Sequence, residues 1–537
     1  MQRMLSLASA GALVLLLGLL LRLAAQQAEG PTHVDLRIAE WTPATLYLPP
    51  RPGARAFGLP EPAPEGERPM AVVLAHGFAS DRANMSPLAR SLANAGYAVL
   101  ALDLAGHGEN RRAGGFRAAR SHPKSDFHDE LEAAVDYLRA SPLVDGARIA
   151  VMGHSMGAGA ALGYASWDPT IDGAVMIAGG WRIAGPHAPA NALFVYAEGD
   201  RRELHDGVKR LASRLAGGAS LADGEVHGDF ANGTAVAHVM VAGASHVGIV
   251  ADDAAVREIV RWLDAIDGRD RAQPAGLDDP RRATAALGAL LAVLVLPGLG
   301  LACARLAPGD ALGARAPAAP ARPGDAPAGA VELGVLVVSL VAALPAIALG
   351  SPLPALSLEI GELAVPYLTI AGALALAGLA ALGRLDVRAL VREPAAALAA
   401  GAAGGVALLL LLAPLGCVFH GLALTPARAA IALACAALLL PAFLALEGGV
   451  RRGGLARGVA LSLAGRLLVV GALAAATALG VLPRVVSLML PILGSFLLVL
   501  ELPCAAMRAG GGRALLAASF QAVVLGWVLA AVLPVSV

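Results

Sequence analysis

At 537 residues the chain is too long for one ordinary domain, and with 57% hydrophobic residues, 15% charged residues and a mean hydropathy of +0.65 it is too apolar for an average soluble protein. The formal net charge is zero, so nothing global pulls it toward nucleic acid. All four cysteines (Cys303, Cys417, Cys435 and Cys504) fall in the second half at spacings that match no metal motif, and the first half must therefore stand on its core rather than on disulfides.

Residues 4–21 carry no charge and lie between Arg3 and Arg22. This apolar run exceeds the usual core of a cleaved signal peptide, and Leu23-Ala24-Ala25-Gln26 is a mediocre cleavage site, so residues 1–29 are expected to be a signal anchor rather than a cleaved signal peptide. Either reading exports the segment downstream of it. From 30 to 270 short apolar runs alternate with amphipathic stretches. Strands are expected at 33–41, 44–48, 71–75, 98–102, 149–152, 174–177, 192–195 and 238–241, with a Pro/Gly-rich loop over 49–68 and helical spacing at 129–139 and 254–266. Such alternation predicts an α/β domain, a mostly parallel sheet with helices on both faces, whose site lies at the carboxyl ends of the strands.

A charged linker at 271–283 precedes an abrupt change of composition. Eight stretches within 284–537 are long and apolar enough to span a bilayer, at about 284–304, 330–350, 363–383, 396–416, 429–446, 467–482, 485–506 and 514–534, which predicts an all-α polytopic transmembrane domain. Alternate loops hold Arg305, Arg315 and Arg322; Arg384, Arg388 and Arg392; Arg451, Arg452, Arg457 and Arg466; and Arg508 with Arg513. By the positive-inside rule these loops are cytoplasmic, which places 30–270 outside the cytoplasm. Well inside the spans Glu501 and Gln521 are the evident strongly polar residues, too few for a proton- or ion-coupled pathway.

The chemistry gathers around Gly153-His154-Ser155-Met156-Gly157. An apolar run ends there and an Ala-rich stretch begins, so a buried strand turns sharply into a helix with Ser155 at the corner. In a chain with 63 glycines the pentapeptide alone is weak. Downstream, one strand runs into Glu198-Gly199-Asp200 and a later one into Ser245-His246, so serine, acid and histidine arrive in order at strand ends. Glu198 and Asp229 are alternative acids. Upstream, His76-Gly77-Phe78 closes another strand, and the backbone N–H groups of Phe78 and Met156 are candidates for an oxyanion hole.

Together with Asp103-Leu-Ala-Gly106-His107-Gly108, these motifs resemble the α/β-hydrolase superfamily, in its serine-aminopeptidase, esterase and dienelactone-hydrolase-like branches, over about residues 30–270. The resemblance implies a triad of Ser155, His246 and Asp200, an acyl-enzyme on Ser155 and hydrolysis of an ester, thioester or amide. His76, Gly77, Asp103, His107, Gly153 and Gly157 would be structural residues beside the site. No metal or organic cofactor is implied. The expected partners are a small-molecule or lipid acyl substrate and membrane lipids, with no nucleic acid. Two features stand out against the family pattern: a short connection over 178–191, holding Trp181, Arg182 and His187, where a lid would be inserted, and a basic loop with Arg111, Arg112, Arg117, Arg120 and Lys124 that suits anionic lipid head groups, an anionic substrate or plain solvent. The rival readings are a transporter or assembly protein with a non-catalytic hydrolase-like domain, and a lipid-remodelling hydrolase fed by the spans.

Overall fold

The structure is a computed structural model and describes all residues except 1, 52–57, 115–123, 126, 181–182, 308–328, 349–355, 394, 452–453 and 537. Arg117, Arg120, Trp181, Arg182, Arg315, Arg322 and Arg452 therefore lie outside the described residues. The chain divides into two compact units. One comprises Leu21–Ala285, Leu415–Ala423 and Val532–Val537; the other comprises Met1–Leu20, Ala286–Pro414 and Leu424–Ala531.

The first unit is built on an eight-stranded sheet. Its strands are β1 (Thr32–Ile38), β2 (Thr42–Leu48), β3 (Met70–Ala75), β4 (Ala98–Leu102), β5 (Asp145–His154), β6 (Gly173–Ile177), β7 (Ala192–Ala197) and β8 (Val236–Val241), in the order β1-β2-β4-β3-β5-β6-β7-β8. Pairings of β1 with β2 and of β2 with β4 are antiparallel; the rest are parallel. The period-two rule sorts β3 cleanly. Ala71, Val73 and Ala75 pack toward Leu131, Val135 and Leu138 of the helix His128–Ala140, while Met70, Val72 and Leu74 face Leu88 and Leu92 of Ser86–Asn94 and Val256, Ile259 and Val260 of Asp253–Asp267. The last of these helices starts where Asp252 accepts the N–H groups of Ala254 and Ala255 and stops at Gly268, whose φ of 69° closes the C-terminus.

Most strands extend a few residues beyond expectation, as β5 does (Asp145–His154 against 149–152), and one is shorter. The first strand ends at Ile38, not at Trp41, because Ala39 (φ 47°) and Glu40 (φ 63°) form a tight turn that reverses the chain into β2.

In the second unit, seven of the eight expected stretches form helices long and apolar enough to cross a membrane; the eighth helix, Ala330–Ala348, counts only as a shorter apolar helix within the described residues. The N-terminal helix Gln2–Gln27 is also of spanning length, and its Ser9 hydroxyl donates to Leu294 O at 2.8 Å and accepts from Gly298 N at 3.1 Å. The expected scarcity of polar residues does not hold. The helix placed at 467–482 runs Leu455–Ala478, so Arg466 lies inside it, and a π-helical turn at Ala445–Val450 brings Glu447 inward. Arg451 bonds Glu501 Oε2 at 2.5 Å and Glu447 Oε1 at 3.2 Å, Ser462 Oγ donates to Glu501 at 2.7 Å, and Arg466 joins Glu501 at 3.2 Å to Gln521 at 2.7 Å. Gln521 closes the ring by donating to Glu447 at 3.0 Å. Arg451 and Arg466, expected as loop arginines, are buried partners in this neutral cluster instead. Their charge is matched by Glu447, one turn before Arg451, and by Glu501, which is remote in sequence from both, so loop counting misplaced them.

Candidate active site

β5 carries the chain to His154, and Ser155 then takes φ 52° and ψ −108° before the helix Met156–Ala165 begins. A non-glycine residue in that region costs about 1 kcal/mol or more. The cost is sustained because the flanks fit nothing larger: a Cβ on Gly153 would lie 2.2 Å from the carbonyl of Gly157, and one on Gly157 would lie 2.5 Å from Ala75 O. Strand and helix therefore close tightly and lift the serine above the sheet. Met156 opens the helix, so its N–H is among those that no helical carbonyl can reach.

Asp200 follows β7 and His246 follows β8, both at carboxyl ends. His246 Nε2 is 3.0 Å from Ser155 Oγ and Nδ1 is 2.5 Å from Asp200 Oδ1. A carboxylate only accepts, so Nδ1 carries the proton and Nε2 presents its lone pair to the serine hydroxyl. The Asp200 side chain is 1% exposed and that of His246 17%. Ala197 N donates to Asp200 Oδ2 at 2.9 Å, which fixes the carboxylate plane. The alternative acids are placed elsewhere. Glu198 accepts from Gly243 N at 2.8 Å and so ties β7 to the loop bearing His246, while Asp229 accepts from Asn232 N within its own turn.

The remaining motif residues are brought to the same end of the sheet. His76, fully buried, receives Leu104 N at 3.1 Å on Nε2, and burial lowers its pKa. Gly77 lies against His154, so close that a Cβ there would be 2.7 Å from its Nδ1. Asp103 accepts from the backbone N–H groups of Arg82 at 2.8 Å and Glu109 at 2.9 Å and pairs with the Arg82 guanidinium. His107 Nδ1 is 3.0 Å from Ala105 O, and its ring meets Phe78 edge-on at 6.1 Å. In the basic loop, Arg112 bonds Asp129 at 2.8 Å and stacks 4.4 Å over Trp41, and Lys124 lies 3.6 Å from Glu132, so these two charges are spent within the protein. His187 sits on an exposed turn with its N–H on Ser166 O.

Sequence reasoning gave His154 no role. Its Nε2 donates to His246 O at 2.8 Å and so anchors the backbone of the candidate base. Burial, reinforced by the neighbouring His246, pushes the His154 pKa down to about 4, so the ring is neutral at pH 7. Its signal was its place between Gly153 and Ser155, where a strand's last residue must point beneath the serine.

Comparison with known proteins finds hydrolases. Residues 66–205 match the family described as serine aminopeptidase, S33. The chain is 28% identical over 172 residues to a bis(hydroxyethyl) terephthalate hydrolase of Streptomyces coelicolor, a match that covers 31% of this chain and 47% of that protein. It thus spans about half the length of that relative. Among solved structures it is similar to a ferulic acid esterase from Streptomyces cinnamoneus (19% identity, 50% of this chain, 89% of that one, TM-score 0.29) and a puromycin-hydrolyzing peptidase of Mycobacterium tuberculosis (17% identity, 44% and 38%, TM-score 0.31). The unit carrying Ser155 has the mostly parallel, helix-covered sheet of an α/β-hydrolase fold and matches a serine-aminopeptidase-type hydrolase family over residues 66–205, and the same chain continues into helices long and apolar enough to cross a membrane.

Proposed function

We propose that the protein is a membrane-anchored serine hydrolase that cleaves an ester through an acyl-enzyme on Ser155. The observation that carries the reading is the relay from Ser155 Oγ through His246 to Asp200, at 3.0 and 2.5 Å. His246 takes the serine proton as Oγ attacks the carbonyl carbon, and Asp200 stabilises the imidazolium. The backbone N–H groups of Phe78 and Met156 receive the oxyanion. His246 then returns the proton to the leaving alkoxide. Water, deprotonated by the same histidine, releases the acid and restores Ser155.

Esters are preferred over peptides because the sequence near these motifs shows no evident acidic cluster of the kind that would hold a substrate amine, and the terephthalate-ester hydrolase among the relatives supports the same class. Ser9, bonded to the helix Arg281–Leu306, favours an N-terminal helix retained as an anchor. The arginines at 305, 384, 388, 392, 457, 508 and 513 favour a hydrolase outside the cytoplasm. A membrane-impermeant fluorophosphonate tests the serine mechanism and the orientation together, on intact cells and inverted vesicles. Labelling of intact cells that disappears in Ser155→Ala is the expected result. Labelling confined to inverted vesicles would reverse the orientation, and none from either side would reject the serine mechanism.

A further inference from the structure

The hydrolase unit contains two short stretches that are remote in sequence, Leu415–Ala423 and Val532–Val537. Each bonds to a loop beside Phe78, the candidate oxyanion donor. The turn after Phe78 begins with Ala79 at φ 55°, a conformation that a side chain disfavours and that persists only where neighbours over-determine it. The neighbours are visible. Asp81, 4% exposed, accepts from Asn84 N at 3.0 Å on one oxygen and from Gly421 N at 2.7 Å on the other, with His420 Nδ1 3.3 Å away. Asn84 Nδ2 donates to Phe419 O at 2.6 Å, and Ser86 Oγ to Cys417 O at 2.7 Å. On the other side of Phe78, the loop bearing His107 is paired with the C-terminal stretch: Val535 N donates to Gly106 O at 2.8 Å, and Gly114 N to Val535 O at 3.1 Å.

We infer that residues 415–423 are a positioning clasp for the oxyanion turn, so that a segment made only after the helix Ala395–Leu412 sets the catalytic power of Ser155. The inference rests on the hydrolase reading of the triad. Gly421 is suited to the task because its N–H must reach a carboxylate at close range; a Cβ there would lie 2.8 Å from Asp81 Oδ2. Asp81 is suited because a carboxylate offers acceptors to both N–H groups at once. An asparagine would have to turn its NH₂ toward Gly421 N–H or Asn84 N–H, and one bond would break. Since the turn's N–H acts on charge that develops only in the transition state, loosening it should slow turnover without weakening substrate binding. The clasp also gives the covalent union of the two halves a consequence: hydrolysis reaches full rate only in a chain whose later segments have been made and folded.

The test uses full-length protein in detergent, with a short soluble p-nitrophenyl ester as substrate and active sites counted by titration, so that unfolded molecules drop out of kcat. Asp81→Asn and Gly421→Ala should each lower kcat about tenfold, with KM within about twofold of wild type and the fluorophosphonate labelling rate falling in parallel. Asn84→Ala, at the rim of the contact, should give a smaller fall of the same kind. Unchanged kcat per titrated site in both Asp81→Asn and Gly421→Ala would overturn the clasp, as would a rise in KM at constant kcat. Failure of the wild type to turn over or to label would instead sink the hydrolase reading, and this one with it.

Discussion

Both units bury charge, and they do so to opposite ends. In the helical unit Glu447, Arg451, Arg466 and Glu501 pair with one another and with Ser462 and Gln521, so two positive and two negative side chains cancel within one closed ring of contacts. In the hydrolase unit the Asp200 side chain is just as buried, but it bonds the His246 ring, whose far nitrogen is turned toward a serine hydroxyl. A closed group resists change; an open chain has one end at which a proton can leave. The difference teaches that burial alone does not mark a reactive site. What marks it is an incomplete network with a nucleophile at the open end, held by a strained corner.

Breaking the open chain should remove chemistry and leave the fold. Ser155→Ala is expected to lower kcat about 10⁶-fold and Asp200→Asn about 10⁴-fold, since the amide would favour the wrong imidazole tautomer. Ester hydrolysis with urea unfolding on the same samples checks both, and unfolding midpoints should move little. Breaking the closed group should do the reverse. Glu501→Leu leaves one guanidinium charge uncompensated among the helices, with Glu447 shared between Arg451 and Arg466, and should destabilise that unit by about 3–5 kcal/mol, while kcat per titrated hydrolase site stays at the wild-type value. Thermal unfolding in detergent measures the first quantity and the ester assay the second. Arg451→Met combined with Glu501→Leu removes one charge of each sign and should recover part of the loss.

Acid sharpens the comparison inside the hydrolase unit. His154 binds its proton only near pH 4 when folded but near its ordinary value of 6.5 when unfolded. Between those values the unfolded state holds the extra proton, so stability is complete above pH 6.5 and declines as pH falls toward 4, by about 3 kcal/mol from this residue. Tryptophan fluorescence can follow it, because Trp41, Trp167, Trp181 and Trp262 lie in this part of the chain and only Trp527 lies in the other. Urea midpoints at pH 7 and 4.5 should differ less in His154→Gln, whose amide can still donate to His246 O. An equal pH shift in both proteins would assign the acid loss to other groups.

How much of this could be read from residues depends on how far apart the cooperating groups lie. The central strands were legible because parallel strands buried on both faces are apolar runs, and the serine corner because its two flanking glycines stand within two residues of the serine in a recognisable strand–turn–helix pattern. The Ala39–Glu40 reversal was not, since its positive φ values fall on residues with no turn preference, and the strand was read through it. Glu447 and Arg466 were passed over for a different reason. A charge near a helix end reads as a loop residue unless its counter-charge is visible, and Glu501 is remote in sequence from both. The hold of residues 415–423 on Asp81 left no local trace at all, because backbone atoms supply most of it.

The smallest expected effect isolates the strain at the serine corner. Ser155→Ala and Ser155→Gly both delete the hydroxyl and abolish turnover, and they differ only in Cβ. At φ 52° and ψ −108° alanine must bear the same unfavourable backbone geometry as serine, whereas glycine adopts positive φ without a side-chain clash. Glycine also makes the unfolded chain more flexible, which opposes the gain. If relief of strain outweighs that flexibility, Ser155→Gly unfolds at higher urea than Ser155→Ala, by about 1 kcal/mol. If the two midpoints coincide, the corner stores little strain, and the close packing of Gly153 and Gly157 is by itself what holds the serine above the sheet.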